Sequence, residues 1–314
     1  MSTMQTDPPI RVLVPIDGTP LSEQALPYAG ALTAPGDEVL LLHVAPSPGP
    51  SQSSRGRDLP MTDQDLEKSK ERTRERTANV AATWQSILPK VTKHAAFGEP
   101  AKGIVQAADE QKVHLIAMAT HERKFIGRWL HTSVAGEVVR QSPVSVLIVR
   151  RNEKHTGAHA APIDRLIVPL DGTEHSAKAL PIATRLSLRM KRPVLLVHVE
   201  RNLSNSTASF GTVMVNVSAD DAEVTAEHNV ELYIQSTIAG LRARGVSADW
   251  MLSSGDPAKH IRQIAEHNDL IVLTSHGRTG LDRIRAGSVT EELIRTADAP
   301  VIVVHPAPVA KAGA

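Results

Sequence analysis

The chain has 314 residues, and at ~150 residues per domain this length predicts two domains. Hydrophobic residues make up 41% of the chain but aromatic residues only 3%, so we expect cores of Val, Ile, Leu and Ala. Lys and Arg number 35 against 34 Asp and Glu, and there is no cysteine, so we expect no nucleic-acid partner, and disulfides, iron–sulfur clusters and thiolate zinc sites are excluded. The chain start lacks the layout of a signal peptide, and no apolar run approaches the ~18 residues of a membrane span. We therefore expect a cytoplasmic protein without a membrane partner.

Short apolar runs alternate with helical patterns along the chain. The predicted strands are, in chain order, Val12–Ile16, Val39–Val44, Val91–Phe97, Leu115–Ala119, Val144–Val149, Leu166–Leu170, Val194–Val199, Val246–Leu252, Leu270–Leu273 and Val301–Val304. Predicted helices include Ser22–Leu32, Asp63–Leu88, Ala101–Glu110 and Ser133–Arg140. The alternation predicts an α/β fold of doubly wound parallel sheets. Ligands of such sheets bind beyond the carboxyl ends of the strands, where the strand order reverses.

The sequence contains one unit twice. Arg11–Thr19 recurs as Arg165–Thr173 at an offset of 154 residues, and four further blocks recur in the same order at offsets of 155 or 157. A unit of this size is a whole domain rather than a solenoid repeat. We therefore predict two five-stranded domains in tandem, at residues 1–151 and 163–308.

An aspartate followed by Gly-Thr ends the first predicted strand of each repeat, as Asp17 and Asp171. One interpretation is local, because an Asp side chain often bonds the backbone of its own turn. The other is functional, because a carboxylate at the carboxyl end of a strand can contact a ligand. The strand-end position favours the functional interpretation for Asp171, whereas both interpretations stay open for Asp17.

A second candidate site is a pair of short blocks near the end of the chain. Thr274-Ser-His-Gly277 follows a predicted strand, and Gly287-Ser288-Val289-Thr290 opens a predicted helix after nine intervening residues. Glycines allow close approach to the backbone, and the start of a helix favours an anion. The alternative to a ligand site is a flexible turn that ends at a serine N-cap. Arg278 is either a phosphate ligand or a solvated loop cation.

These motifs, in this order, resemble the universal stress protein family, and the whole chain resembles its tandem two-domain form. The family's nucleotide motif is Gly-x2-Gly-x9-Gly-(Ser/Thr); Gly277, Gly287 and Ser288 occupy its last positions, and Thr274 stands at the first. The resemblance implies Rossmann-like domains of the adenine nucleotide alpha hydrolase-like fold, with ATP, with or without Mg²⁺, as the cofactor. The nucleotide-binding residues that it implies are Pro169, Asp171, Val199, Thr274, Gly277, Arg278, Gly287, Ser288, Val289 and Thr290.

The first repeat departs from this nucleotide motif. Ala119, Glu122 and Thr132 stand where the motif has glycine, and Ser133 retains the hydroxyl position. A carboxylate repels phosphate, and the added side chains obstruct the approach to the backbone. We therefore expect adenine nucleotide to bind mainly through the C-terminal domain.

The resemblance implies a stress-response protein that acts by regulation, with ATP stabilising one conformation or assembly state. Two alternatives stay open. A slow ATPase would have only Asp171 as a candidate group beside the γ-phosphate, and a nucleotide-independent interaction module is favoured for the first domain by Glu122 and Thr132. We expect His43 and His198 to be packed strand residues rather than metal ligands, because no helical His pair accompanies them.

The fifth predicted strand of each repeat, Val144–Val149 or Val301–Val304, bears on assembly. In the resembled family this edge strand pairs two domains about a two-fold axis. An exposed apolar edge needs covering, and a tether raises the effective concentration of its partner to roughly millimolar. We therefore expect the two domains to pair within the chain, while a homodimer through another surface and the protein partner stay open.

Overall fold

The computed structural model describes residues 8–45, 51–52, 58–59, 63–120, 133–150, 159–200, 219–274 and 288–305. Its strands are β1 (Arg11–Pro15), β2 (Glu38–Ala45), β3 (Ser51–Gln52), β4 (Asp58–Leu59), β5 (Lys90–Phe97), β6 (Leu115–Thr120), β7 (Ser145–Arg150), β8 (Arg165–Pro169), β9 (Val194–Glu200), β10 (Ala248–Ser254), β11 (Asp269–Thr274) and β12 (Val301–Val304). Its helices are α1 (Leu26–Leu32), α2 (Asp63–Trp84), α3 (Pro100–Glu110), α4 (Val134–Gln141), α5 (Glu174–Ala177), α6 (Leu180–Met190), α7 (Ala219–Ala243), α8 (Pro257–Ile264) and α9 (Ser288–Thr296). A 3₁₀ turn at Ser22–Ala25 precedes α1.

The ten predicted strands are ten strands of one sheet, in the order β10-β9-β8-β11-β12-β7-β6-β1-β2-β5. Neighbouring strands within each half are parallel, and the strand order reverses between β1 and β6 and between β8 and β11. This arrangement confirms the predicted fold class of two doubly wound, five-stranded, Rossmann-like domains in tandem. The sequence analysis missed the antiparallel pairing of β3 with β4, which joins two residues of each strand.

The inner strands of the sheet are mostly buried on both faces, which explains their continuously apolar sequences, whereas most residues of the edge strands β5 and β10 are exposed or half-buried. Val12 and Val14 of β1 belong to one apolar cluster and Leu13 belongs to the other, and all three are fully buried. This alternation places the two clusters on opposite faces of the sheet. Each cluster contains residues of both halves, so the apolar core continues across the junction between the domains.

The two halves join through β7 and β12, which pair antiparallel with Ile302 opposite Leu147. The predicted pairing of the two domains within the chain is therefore confirmed. The strands at the two ends of the ten-stranded sheet are β5 and β10.

Charged contacts also cross the junction. The carboxylate of Asp37, which is 2% exposed, accepts from the backbone N–H groups of Ile10 and Ala34, both at 2.7 Å, and from the guanidinium of Arg189 on α6. A buried carboxylate needs such partners to offset its lost hydration.

Among the helices of the described residues, none combines the length and apolar composition that crossing a membrane requires.

Candidate functional site

The carboxyl ends of β8 and β11 lie side by side where the strand order of the second half reverses. β8 ends at Pro169, two residues before Asp171, and β11 ends at Thr274. Val199 lies near the end of β9, the neighbour of β8 on its other side. Predicted site residues from three strands therefore share one edge of the sheet, at the point where doubly wound folds bind their ligands.

The carboxylate of Asp171 organises a tight turn after β8. Its Oδ1 accepts the backbone N–H of Thr173 at 3.0 Å and the Thr173 hydroxyl at 2.6 Å, and the Asp171 N–H donates to the Ser176 hydroxyl at 3.3 Å. Gly172, with φ of 81°, supplies the left-handed backbone that the turn requires. The local interpretation of this aspartate is therefore observed, and an exposed carboxylate in such a turn remains able to accept from a ligand.

Hydrogen bonding lowers the pKa of the Asp171 carboxyl. Partial desolvation by itself raises the pKa of the Asp171 carboxyl, but hydrogen bonds from Thr173 and Ser176 outweigh it and hold the pKa below the ordinary value of 3.8. At neutral pH the group is therefore ionised and acts as a hydrogen-bond acceptor.

The first half has the same turn. Oδ1 of Asp17 accepts from the Thr19 N–H at 2.9 Å and from its hydroxyl at 2.6 Å, and the Asp17 N–H donates to the Ser22 hydroxyl at 3.2 Å. Partial desolvation opposes the shift, but the bonds from Thr19 and Ser22 lower the pKa of Asp17 as well. The turn is therefore common to both halves and does not distinguish them.

Two buried histidines brace the strand edges beneath these turns. Nδ1 of His198 lies 2.8 Å from the carbonyl oxygen of Leu170, and Nδ1 of His43 lies 2.8 Å from that of Ile16. A carbonyl oxygen only accepts, so Nδ1 carries the proton in both rings. The prediction of packed strand histidines is confirmed. Their bonds hold the second strand of each half against the residue that precedes the aspartate.

The start of α9 is tied to the end of β11. The hydroxyl of Thr290, which is 3% exposed, donates to the Thr274 carbonyl oxygen at 3.3 Å. Ser288 is the first residue of α9, and Val289 is half-buried against the core. This contact sets the distance between the two blocks of the predicted nucleotide motif.

The remaining motif residues of the second half, Gly277, Arg278 and Gly287, lie outside the described residues. In the first half, Ser133 caps α4, and its hydroxyl oxygen accepts the Gly136 N–H at 3.0 Å.

The described part of the chain contains no cluster of three or more His, Asp or Glu side chains that could hold a metal ion.

A model of the universal stress protein family matches residues 10–150 and again residues 162–305. The chain belongs to the universal stress protein family. The double match shows the tandem form, and membership places the chain among stress-response proteins.

Relatives in the family match either one half or most of the chain. Universal stress protein YxiE of Bacillus subtilis is 30% identical over 147 residues, which are 45% of this chain and 99% of the relative. Universal stress protein Rv2005c of Mycobacterium tuberculosis is 24% identical over 216 residues, 68% of each chain. The crystal structure of a universal stress protein from Archaeoglobus fulgidus is 21% identical, with a TM-score of 0.63, and the match covers 94% of this chain and 96% of that one. The last comparison shows that the two-domain fold is shared.

The sequence analysis missed Thr173 and Ser176 as partners of Asp171. A signal for them exists, because Asp-Gly-Thr followed by Ser three residues after the Thr occurs in both repeats. It also missed Tyr233 of α7, whose pKa is raised by burial, against an opposing hydrogen bond with Thr237, and to a smaller extent by the nearby Asp171 carboxylate. No local pattern reports which residue of a long helix lies beside a turn distant in sequence.

Proposed function

We propose that this protein binds ATP, one molecule per chain, in its C-terminal half, and that the nucleotide acts as a regulator of conformation or assembly. One observation carries the proposal. In the second half the ionised Asp171 turn and the Thr290–Thr274 contact flank the point where the strand order reverses. The blocks that hold Gly277 and Gly287 follow from these same elements in the sequence.

Each predicted contact has a physical basis. The N–H groups at the start of α9 and the hydroxyl of Ser288 would receive the phosphates, because a helix start favours an anion. Gly277 and Gly287 would allow the phosphates to approach the backbone, and Arg278 would add charge. The adenosine would lie against Asp171, Pro169 and the main chain of Val199, in keeping with the family resemblance.

The first half supports the same proposal by contrast. It has the Asp17 turn and the Ser133 cap, but its sequence has Ala119, Glu122 and Thr132 where the motif has glycine. These replacements favour a role for the first half that does not depend on nucleotide, such as contact with another protein.

Calorimetric titration of the purified chain with ATP tests the proposal. We expect close to one ATP per chain, measured with and without Mg²⁺, and mass spectrometry of the native protein should find adenine nucleotide in substoichiometric to equimolar amount. Two equal sites, or no binding, would contradict the proposal. A phosphate-release assay on the same sample distinguishes a regulatory site from a slow ATPase.

Other expectations stay predictions: the domain limits 1–151 and 163–308, a cytoplasmic location, the lack of a nucleic-acid partner, and a homodimer formed through a surface other than β7 and β12.

A further inference from the structure

Helix α9 connects the proposed phosphate site with the junction between the halves. It begins at Ser288 and ends at Thr296, a length of ~14 Å at 1.5 Å per residue. Leu293 and Ile294 of α9 are fully buried in the apolar cluster that also contains Val146 and Ile148 of β7. The helix therefore packs against the first half of the chain as well as against its own half.

Arg150, the last residue of β7, contacts the carboxyl end of α9. Its Nη1 donates to the Ala297 carbonyl oxygen at 2.8 Å and lies 3.5 Å from the Asp298 carboxylate, and its side chain is 15% exposed. The last carbonyls of a helix lack partners within the helix, and the helix dipole places partial negative charge there. A guanidinium from the first half thus donates a hydrogen bond to the carboxyl end of a helix in the second half, and its positive charge lies beside the partial negative charge of that end.

A reciprocal contact exists on the other helix. His305, which follows β12, donates from Nε2 to the Val139 carbonyl oxygen of α4 at 2.8 Å. Each half therefore reaches across the junction to the carboxyl-terminal part of the partner helix. The two contacts differ in chemistry, because a guanidinium is charged at every accessible pH whereas an imidazole is not. The permanently charged contact is made to α9, which opens with the retained nucleotide motif.

We propose that Arg150 is a positioning residue through which the first half controls the ATP site of the second half. This inference rests on the proposed function. Arg150 holds the carboxyl end of α9, and the rigid helix carries that constraint to the N–H groups that receive the phosphates. The phosphates and the guanidinium complement opposite ends of one helix dipole. Because coupling between two binding events is reciprocal, ATP strengthens the β7–β12 junction by the same factor by which the junction strengthens ATP binding.

Matched variants of the full chain test the inference by titration with ATP. Arg150→Met keeps the aliphatic stem and removes the charge, so we expect ATP to bind about three- to tenfold more weakly. Arg150→Lys restores a positive charge, and we expect it to recover part of the affinity. His305→Gln alters the reciprocal contact on α4, and we expect its ATP affinity to stay within about twofold of wild type.

A second measurement compares the wild-type chain with Arg150→Met. Hydrogen exchange followed by mass spectrometry should show that ATP slows amide exchange in the peptide containing Val301–Val304, and that Arg150→Met reduces this protection. Unchanged ATP affinity in Arg150→Met, equal losses in Arg150→Met and His305→Gln, or unchanged exchange at the junction would each overturn the inference while leaving the proposed function intact. A wild-type chain that binds no ATP would overturn both.

Discussion

The two aspartate turns of this chain make matching hydrogen bonds, yet the residues around them differ. Asp17 and Asp171 each accept from a Thr two residues later, with hydroxyl contacts of 2.6 Å in both halves. Agreement at this level indicates that the turn is a requirement of the fold, since it ends a buried strand and starts the following helix. Any difference in ligand binding between the two halves must therefore come from residues outside the turn.

The long helix of each half supplies one such difference. Cδ of Arg76 on α2 lies 3.4 Å from the position that a Cβ on Gly18 would take. Tyr233, which stands at the same offset that relates Gly98 to Gly255, lies near Asp171 instead. Its hydroxyl is buried. One repeat thus places a cation beside the turn where the other places a neutral aromatic ring.

Breaking the junction should have the largest effect on the molecule. Ile302→Pro removes a backbone donor from a central strand and deletes a fully buried side chain, so we expect a loss of about 3 kcal/mol or more in unfolding free energy. Small-angle scattering should show two separated lobes in place of one continuous particle. Ile302→Val, which should cost about 1 kcal/mol, is the control; a compact Ile302→Pro chain would contradict the importance of the pairing.

Two ionic contacts across the junction, Asp37 with Arg189 and Asp298 with Arg150, should differ in strength. Asp37→Ala leaves the Arg189 guanidinium and two backbone N–H groups without their shared acceptor, and we expect a loss of about 3 kcal/mol. Asp298 is 83% exposed, so Asp298→Ala should cost under about 0.5 kcal/mol. Urea unfolding of both variants measures the difference, and equal costs would show that burial does not set the strength of these contacts.

A carboxylate placed in the second motif should abolish the difference between the halves. Gly287→Glu blocks the approach to the backbone and repels phosphate, so we expect ATP to bind at least about a hundredfold more weakly, ~2.7 kcal/mol. Thr132→Glu changes the corresponding position of the first half and should leave ATP binding unaltered. Calorimetric titration of both folded variants provides the measurement; retained affinity in Gly287→Glu would place the phosphates elsewhere.

The aspartate turns should respond alike to acid and differently to ATP. Both carboxyls have a pKa below 3.8 in the folded chain, so their contribution to stability is present above pH 3.8 and is lost as the pH falls through the lowered pKa. Asp17→Asn and Asp171→Asn should flatten this acid dependence to a similar extent.

Asp171→Asn should also weaken ATP binding by about tenfold, since a charged acceptor is lost, whereas Asp17→Asn should not. Urea unfolding from about pH 3 to 7 and ATP titration separate the two effects. Equal ATP affinity in the two variants would mean that Asp171 serves the turn alone.

The sequence was sufficient for the fold because its signals are local and repeated. Continuous apolar runs such as Leu166–Leu170 predict strands that are covered on both faces. The alternation of these strands with helices predicts a doubly wound parallel sheet. The two copies then fix the domain number. The Asp-Gly-Thr turn was also readable, since its hydrogen bonds join residues within five positions of each other.

Tertiary structure alone decided which distant residues meet. Arg150 and Ala297 lie far apart in sequence, and their contact exists because β7 and β12 pair antiparallel with one particular register. The Asp37–Arg189 contact between the halves and the proximity of Tyr233 to Asp171 within the second half also join residues that are distant in sequence. Local patterns reflect backbone conformation and burial, which short segments determine; contacts between segments depend on strand order, register and the packing angle of helices, which the whole chain determines together.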